Sequence, residues 1–446
     1  MNVTDSRKDK VSAGIIILVH VAFFLLAYCY KRIYMGDSFE YIYEALNIKQ
    51  QFFFYSGNPE LPIEPEYMTQ RQPVYPLFLL SVYLFAVNNW VVLVLQNVLS
   101  VFNILYTRNI LLHIGYSRKY DWLLMLLLLA YPSQFINANT IAPDILLQTF
   151  TLLYFGNFVG LLQSRQGKYA LWMSFALVAG MMTKPVLYPF VLVHILLLLV
   201  IGAKLKLGWH RQLVAAVLLP VCAVAAYNFW NYQRTGKAHF SSNQAFNAVY
   251  YYYPFIAAQH GQDSAVQFLT NERGRLAGIA DYKTRYDAAN QTGTRLLREN
   301  FMPYMLFHLK HSARMLVEPG KAEIDLFTGK LTYGRLYSKR QEGFFATLKS
   351  KGMSGMSEYF RNNRSMLVVI LVILFNLIRL IGLLLFLLSR RIDVRIRLFV
   401  FVLIGYFAVA AGPIANTRYF LPVSLIAIGA AAMGYISRFN KSNIAG

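Results

Sequence analysis

The sequence predicts an all-α polytopic membrane protein with about ten transmembrane helices, and three observations carry that class. Of its 446 residues, 57% are hydrophobic and only 14% charged, where a soluble globular chain has about a quarter charged. The mean hydropathy is +0.40. Apolar runs of about twenty residues, enough to cross ~30 Å of hydrocarbon, recur along the chain. There is no internal repeat and no low-complexity tract, which counts against an inverted-repeat transporter.

Charge and cysteine content exclude several classes. The formal net charge of +22 could point to nucleic acid, but most Lys and Arg residues sit in short clusters between apolar runs. Such clusters are the usual mark of membrane topology, so no nucleic-acid partner is expected. Cys29 and Cys222 both fall in apolar runs, which suggests neither a disulfide framework nor a zinc site. The first apolar run, 11–30, follows the basic residues Arg7, Lys8 and Lys10. It is too long for a signal-peptide core and lacks a small-residue cleavage site, so it is expected to be a retained span.

The loop that follows contains Asp37, Glu40, Glu44, Glu60, Glu64 and Glu66 against Lys31, Arg32, Lys49 and Arg71. Helical pieces are expected over 38–53 and 74–85, separated by the turn Ser56-Gly57-Asn58-Pro59. Parity decides how the second piece sits. Basic clusters at Arg108/Arg118/Lys119, Arg165/Lys168, Lys204/Lys206/Arg211 and Arg390/Arg391/Arg395/Arg397 should share one cytoplasmic side. If both the 74–87 and 90–106 runs crossed, Arg108 would fall on the other side. The first is short and opened by Pro73 and Pro76, so it is expected to be an interfacial or re-entrant helix. Further spans are then expected over 122–135, 145–162, 169–182, 186–201, 213–230, 365–389, 398–411 and 419–436. Three regions result: 1–230 with seven spans, a polar outer segment 231–364 with amphipathic helices over 281–299 and 303–316, and a three-span region 365–446. Both termini are expected to be cytoplasmic.

The unusual polar residues fall on the other side. Asp37, Arg71, Asp144, Lys184, the 231–243 segment and Arg418 all lie at outer ends of spans. Each alone is equally a capping or snorkelling residue, but ionisable groups at membrane depth are costly and their convergence marks a site. Two carboxylates with several cations suit a phosphate-bearing lipid, with Arg and Lys on the phosphate and a carboxylate taking a proton from an attacking hydroxyl. No P-loop, nucleophile elbow or HExxH pattern occurs.

These residues resemble a known family. Asp37 in the first outer loop, Arg71-Gln72-Pro73-Val74-Tyr75-Pro76-Leu77, Pro132 followed by Asp144, Thr183-Lys184-Pro185, Asn231 to Asn243, and Thr417-Arg418-Tyr419-Phe420-Leu421-Pro422 are similar in order to motifs of the membrane-embedded GT-C glycosyltransferases. The nearest groups are the bacterial relatives of protein O-mannosyltransferases and the lipid A aminoarabinose transferases. Gln72 stands where that family has a second proline, and Lys184 where it has arginine. The resemblance implies a GT-C-like module over 1–230 and a sugar donor carried on a polyprenyl phosphate. Transfer to a glycan, lipid or protein acceptor would occur, with inversion, on the periplasmic face of a bacterial inner membrane. It implies Asp37 and Asp144 as catalytic acidic residues. Arg71, Lys184 and Arg418 would hold the donor phosphate, and Tyr75 and Asn243 would join them in binding substrate. Some relatives use a divalent metal, for which this sequence offers no specific spacing. Three alternatives stand beside this reading: an O-antigen ligase or polymerase using diphosphate-linked glycans, a lipid or glycan transporter or flippase, and a membrane scaffold.

Overall fold

The computed structural model describes residues 3–205, 211–329, 352–353, 360–361 and 365–439. The expected features at Lys206 and Lys441, and most of 330–364, lie outside the described residues. In chain order, the first region contains α1 (Val3–Tyr30), α2 (Ser38–Gln51), α3 (Val74–Tyr83), α4 (Asn89–His113), α5 (Asp121–Leu129) and α6 (Pro132–Ala138). It continues with α7 (Asp144–Ser164), α8 (Gly167–Met181), α9 (Phe190–Lys204) and α10 (Arg211–Thr235). The polar segment forms α11 (Asn243–His260), α12 (Gln262–Ala277), α13 (Tyr282–Glu299), α14 (Phe301–Arg314) and α15 (Lys321–Phe327). The C-terminal region is α16 (Ser365–Leu388), α17 (Val394–Ala411) and α18 (Thr417–Phe439). No strand occurs among the described residues, only a parallel bridge between Tyr34 and Ile141.

Seven of these helices are long and apolar enough to cross a membrane: Val11–Tyr30 within α1, and α4, α7, α10, α16, α17 and α18. Large apolar side chains project outwards from them, among them Leu18, Val98, Leu367 and Leu371, as contact with lipid requires. The protein is thus an all-α chain built for a membrane. At three other expected positions the helices are shorter. The 122–135 run is two pieces, α5 and α6, because Pro132 cannot continue a helix and instead opens the next one at its first position. The runs expected over 169–182 and 186–201 form α8 and α9, each 15 residues. Pro185 and Pro189 divide them: a short 3₁₀ turn, Pro185–Leu187, intervenes before Phe190 begins α9. The 74–87 run forms only the ten residues of α3, as its two prolines suggested. Both expected amphipathic helices of the polar segment form, as α13 and α14.

The bundle is arranged around α18, which is almost wholly buried and packs against α4, α5, α6, α7, α16 and α17. Its sequence Gly429-Ala430-Ala431-Ala432-Met433-Gly434 presents little side-chain bulk, so neighbouring backbones approach closely, which is how helices associate where water supplies no driving force. A Cβ on Gly434 would lie 1.9 Å from the Gly382 carbonyl oxygen of α16. A second constraint is polar. Gln96, Asn97, Ser100 and Asn103 form a buried stripe on α4. Gln96 Nε2 donates to the Thr140 carbonyl (2.7 Å), Asn97 Nδ2 to Asn139 Oδ1 (2.9 Å) and Asn103 Nδ2 to Gln148 Oε1 (3.1 Å). Gln148 in turn donates to the Leu421 carbonyl at 2.8 Å. These amides fasten α4, α6, α7 and α18 together and satisfy the Thr140 carbonyl just past the end of α6.

A Gly434→Leu substitution is expected to force α16 and α18 apart and lower stability by about 1–3 kcal/mol. Thermal unfolding of the detergent-solubilised chain checks this, and an unchanged midpoint would refute the close crossing.

Candidate functional site

Two loops far apart in sequence are clipped together at one end of the bundle. The Ile141 N–H donates to the Ile33 carbonyl at 2.8 Å, and Ser38 Oγ donates to the Ile141 carbonyl at 2.6 Å. The clip flanks Asp37 at the start of α2 and falls just before Asp144 at the start of α7. Asp37 sits at the N-cap position of α2 but makes no side-chain cap bond. Its carboxylate turns to Arg418 instead.

Arg418, in the first turn of α18, links both acids. Its Nη1 and Nη2 donate to Asp37 Oδ1 (3.0 Å) and Oδ2 (2.8 Å), a bidentate pair, and its Nε donates to Asp144 Oδ2 (2.6 Å). Lys184 Nζ donates to the other oxygen, Asp144 Oδ1, at 2.8 Å. The pre-proline position of Lys184 holds its backbone extended, which ends α8 and turns the chain across the site. Arg71 lies 3.7 Å from Asp37 Oδ2 and forms an ion pair with Glu40. Arg71 reaches the site because residues 66–70 are stapled to the start of α11. Ser242 Oγ donates to the Glu66 carbonyl (3.0 Å), and Ser241 Oγ (3.3 Å) and Asn243 Nδ2 (3.2 Å) donate to the Gln70 carbonyl.

A cavity of about 470 Å³ opens over this network, within the range of small-molecule sites. Its wall includes the charged Asp37, Arg71, Lys184 and Arg418, with side chains about one-sixth exposed. Val186, Pro189, Ala410 and Ile414 add apolar surface. Tyr41, Tyr251, Tyr406 and Tyr419 also line it, with the amides Asn243, Gln244 and Asn247. An anionic head with an apolar tail fits that mixture.

Burial alone would raise the Asp37 carboxyl, but Arg418 and then Arg71 outweigh it and hold the group well below the usual carboxylate range. Asp37 is therefore ionised at every physiological pH. Burial raises Glu40 despite its ion pair with Arg71. On the same helix, burial pushes Glu44 up to about 8 against the pull of Arg234 and Arg71, and its Oε2 has no partner.

Of the residues expected from the sequence, Asp37, Arg71, Lys184, Arg418 and Asn243 meet on the cavity wall. Asp144 and Tyr75 do not line it. Asp144 is fully buried beneath the cavity, where it aligns Lys184 and Arg418. Tyr75 is also buried; its hydroxyl donates to Gln96 Oε1 at 2.7 Å and its ring supports Tyr41 edge-on. Several wall residues escaped the sequence reading. Tyr41 lies one turn after Asp37 on α2, and Asn247 one turn after Asn243 on α11, so helical spacing could have found both. Tyr406 gave no signal: it lies inside an apolar run, and its hydroxyl donates to the Val186 carbonyl. The residues present do not suit a divalent ion. Arg418 engages both Asp37 and Asp144, and no group of three His, Cys, Asp or Glu side chains is placed to hold a metal among the described residues. Comparison with protein-family models, curated proteins and solved structures finds no match to this chain.

Replacing Asp144 by Asn should destabilise the protein by about 3–5 kcal/mol, because it leaves two cations against an uncharged buried amide. Asp37→Asn should cost less, since Arg418 keeps Asp144; equal losses in thermal unfolding would contradict the hierarchy. Glu44 adds a pH dependence. Folded Glu44 keeps its proton to about 8, whereas its ordinary value is 4.5. The folded state then binds more protons across that window, and stability falls as pH rises through it. Glu44→Gln should flatten this slope and exceed wild-type stability near the upper end. Parallel unfolding curves for the two proteins across that range would exclude it.

Proposed function

We propose that the chain is a GT-C-like membrane glycosyltransferase that moves a sugar from a polyprenyl-phosphate donor to an acceptor hydroxyl, with inversion. One observation carries the reading: a single cavity is lined by three cations and one ionised carboxylate together with apolar residues near the start of α9 and the end of α17. An anionic lipid matches that lining, with its phosphate among Arg71, Lys184 and Arg418 and its chain against Val186, Pro189 and Ile414. We also propose that the α5–α6 pair, α8 and α9 complete ten crossings, with the Asp37 end on the periplasmic side of a bacterial inner membrane. Under this assignment the basic residues at the opposite helix ends, such as Arg108, Arg165, Arg391 and Arg395, are cytoplasmic.

The chemistry follows from the charge network. The acceptor oxygen attacks the anomeric carbon, the bond from that carbon to the phosphate oxygen breaks, and the acceptor proton passes to Asp37. The lipid phosphate leaves with the electron pair, held by the cations, so no acid is needed to protonate it, unlike the leaving alcohol in glycoside hydrolysis. In the free protein Asp37 is a weak base, because Arg418 and Arg71 stabilise its charge. A donor phosphate shares those cations, weakens their grip on Asp37 and raises its basicity. The base is thereby activated only when the donor is bound. Asp144 remains ion-paired and holds the cations in place. A diphosphate donor would place a second charged group among the same cations, and a flippase would bind the lipid without breaking a bond.

With purified protein, radiolabelled polyprenyl-phosphate sugar and membrane extract, label is expected to move to an acceptor fraction. Asp37→Asn should reduce turnover about 100-fold or more while leaving donor binding intact. Movement of donor across vesicles without transfer would favour the flippase, and equal competition by a diphosphate-linked glycan would favour the ligase.

A further inference from the structure

A second cavity of about 310 Å³ adjoins the first. Asn243 and Asn247, one turn apart on α11, line both. Neighbouring residues divide across this seam: Arg71 and Tyr251 line the first cavity, Gln70 and Tyr250 the second. The two differ in charge. The first cavity has three cations against one carboxylate, while the second has Arg273 and Arg285 against Glu66 and Glu272. An anion is therefore drawn to the first and has no electrostatic reason to enter the second.

Two residues of the second wall carry a buried polar atom with no partner. Gln70 Oε1 is an acceptor without a donor, and Arg285 Nε is a donor without an acceptor, although Arg285 Nη2 reaches Glu64 at 2.7 Å. Buried polar atoms left unpaired need an explanation. An anion cannot satisfy Gln70 Oε1 and a cation cannot satisfy Arg285 Nε, but a hydroxyl both donates and accepts. The rings of Phe246 and Tyr250 supply flat apolar surface in the same wall, suited to the C–H face of a sugar.

We propose that this second cavity binds a neutral, polyhydroxylated acceptor, a carbohydrate unit, and delivers its hydroxyl past Asn243 and Asn247 to Asp37. The acceptor role rests on the glycosyltransferase reading. The carbohydrate site stands on its own geometry.

The full chain in lipid nanodiscs is examined by saturation-transfer NMR with neutral disaccharides (maltose, cellobiose and lactose), their uronic-acid counterparts, and undecaprenyl phosphate as competitor. At least one neutral disaccharide should give a saturable signal that its uronate does not match and that undecaprenyl phosphate does not displace. Gln70→Leu and Tyr250→Ala should each weaken it about fivefold or more. Tyr250 is 41% exposed, so its truncation tests the site without disturbing the core. The proposal is overturned by a neutral panel with no saturable signal, by a uronate binding as well as the neutral sugar, or by a signal indifferent to both variants or displaced by the lipid phosphate. Binding of undecaprenyl phosphate itself reports on the donor reading. Its absence beside intact disaccharide binding counts against that reading alone, and its presence without disaccharide binding counts against the carbohydrate site alone.

Discussion

The guanidinium of Arg418 is the constraint on which the site depends. It joins carboxylates from two loops separated by more than a hundred residues, and it does so from the first turn of the most buried helix in the bundle. Removing either carboxylate from water is costly, and the cost is offset only by good geometry and further hydrogen bonds. Here the geometry is fixed from below. The small residues of α18 lock its position against α16, and Gln148 ties its first turns to α7. The placement of Arg418 is therefore a product of the whole bundle and not of its own loop.

Asp37 and Asp144 look equivalent as acids at the outer ends of helices, yet the fold divides their roles. Asp144 is enclosed and holds two cations, while Asp37 shares one of those cations and opens to the cavity. A buried carboxylate beneath an exposed one lets the cations remain oriented while their grip on the upper acid changes with ligand. Arg71 adds adjustability, since it divides its charge between Asp37 and Glu40.

Much of this was legible in the sequence. Run lengths and prolines identified the long helices and the short α3, and the isolated charges Asp37, Arg71, Lys184 and Arg418 pointed to one end of the bundle. Periodicity could not show that the 122–135 run breaks, although Pro132 was present to indicate it. Nor could it reveal the polar stripe of α4, because Gln96, Asn97 and Asn103 are diluted by the apolar residues between them. Tyr406 was hidden for a similar reason: an aromatic residue in an apolar helix carries no mark of which face it occupies. Depth was unreadable too, since sequence position alone cannot tell the enclosed Asp144 from the open Asp37.

The staple between residues 66–70 and the start of α11 grips the first loop only through its backbone carbonyls, at Glu66, Thr69 and Gln70. The side chains of Glu66 and Gln70 are thus outside the staple, whereas Thr69, buried with its hydroxyl bonded to His239, is part of the anchorage. Residues such as Glu66 and Gln70 can change without moving Arg71, their neighbour at the reaction cavity. Recognition on one side of the seam is free to diverge while the charge network on the other stays fixed, an arrangement that makes specificity evolvable without rebuilding the chemistry.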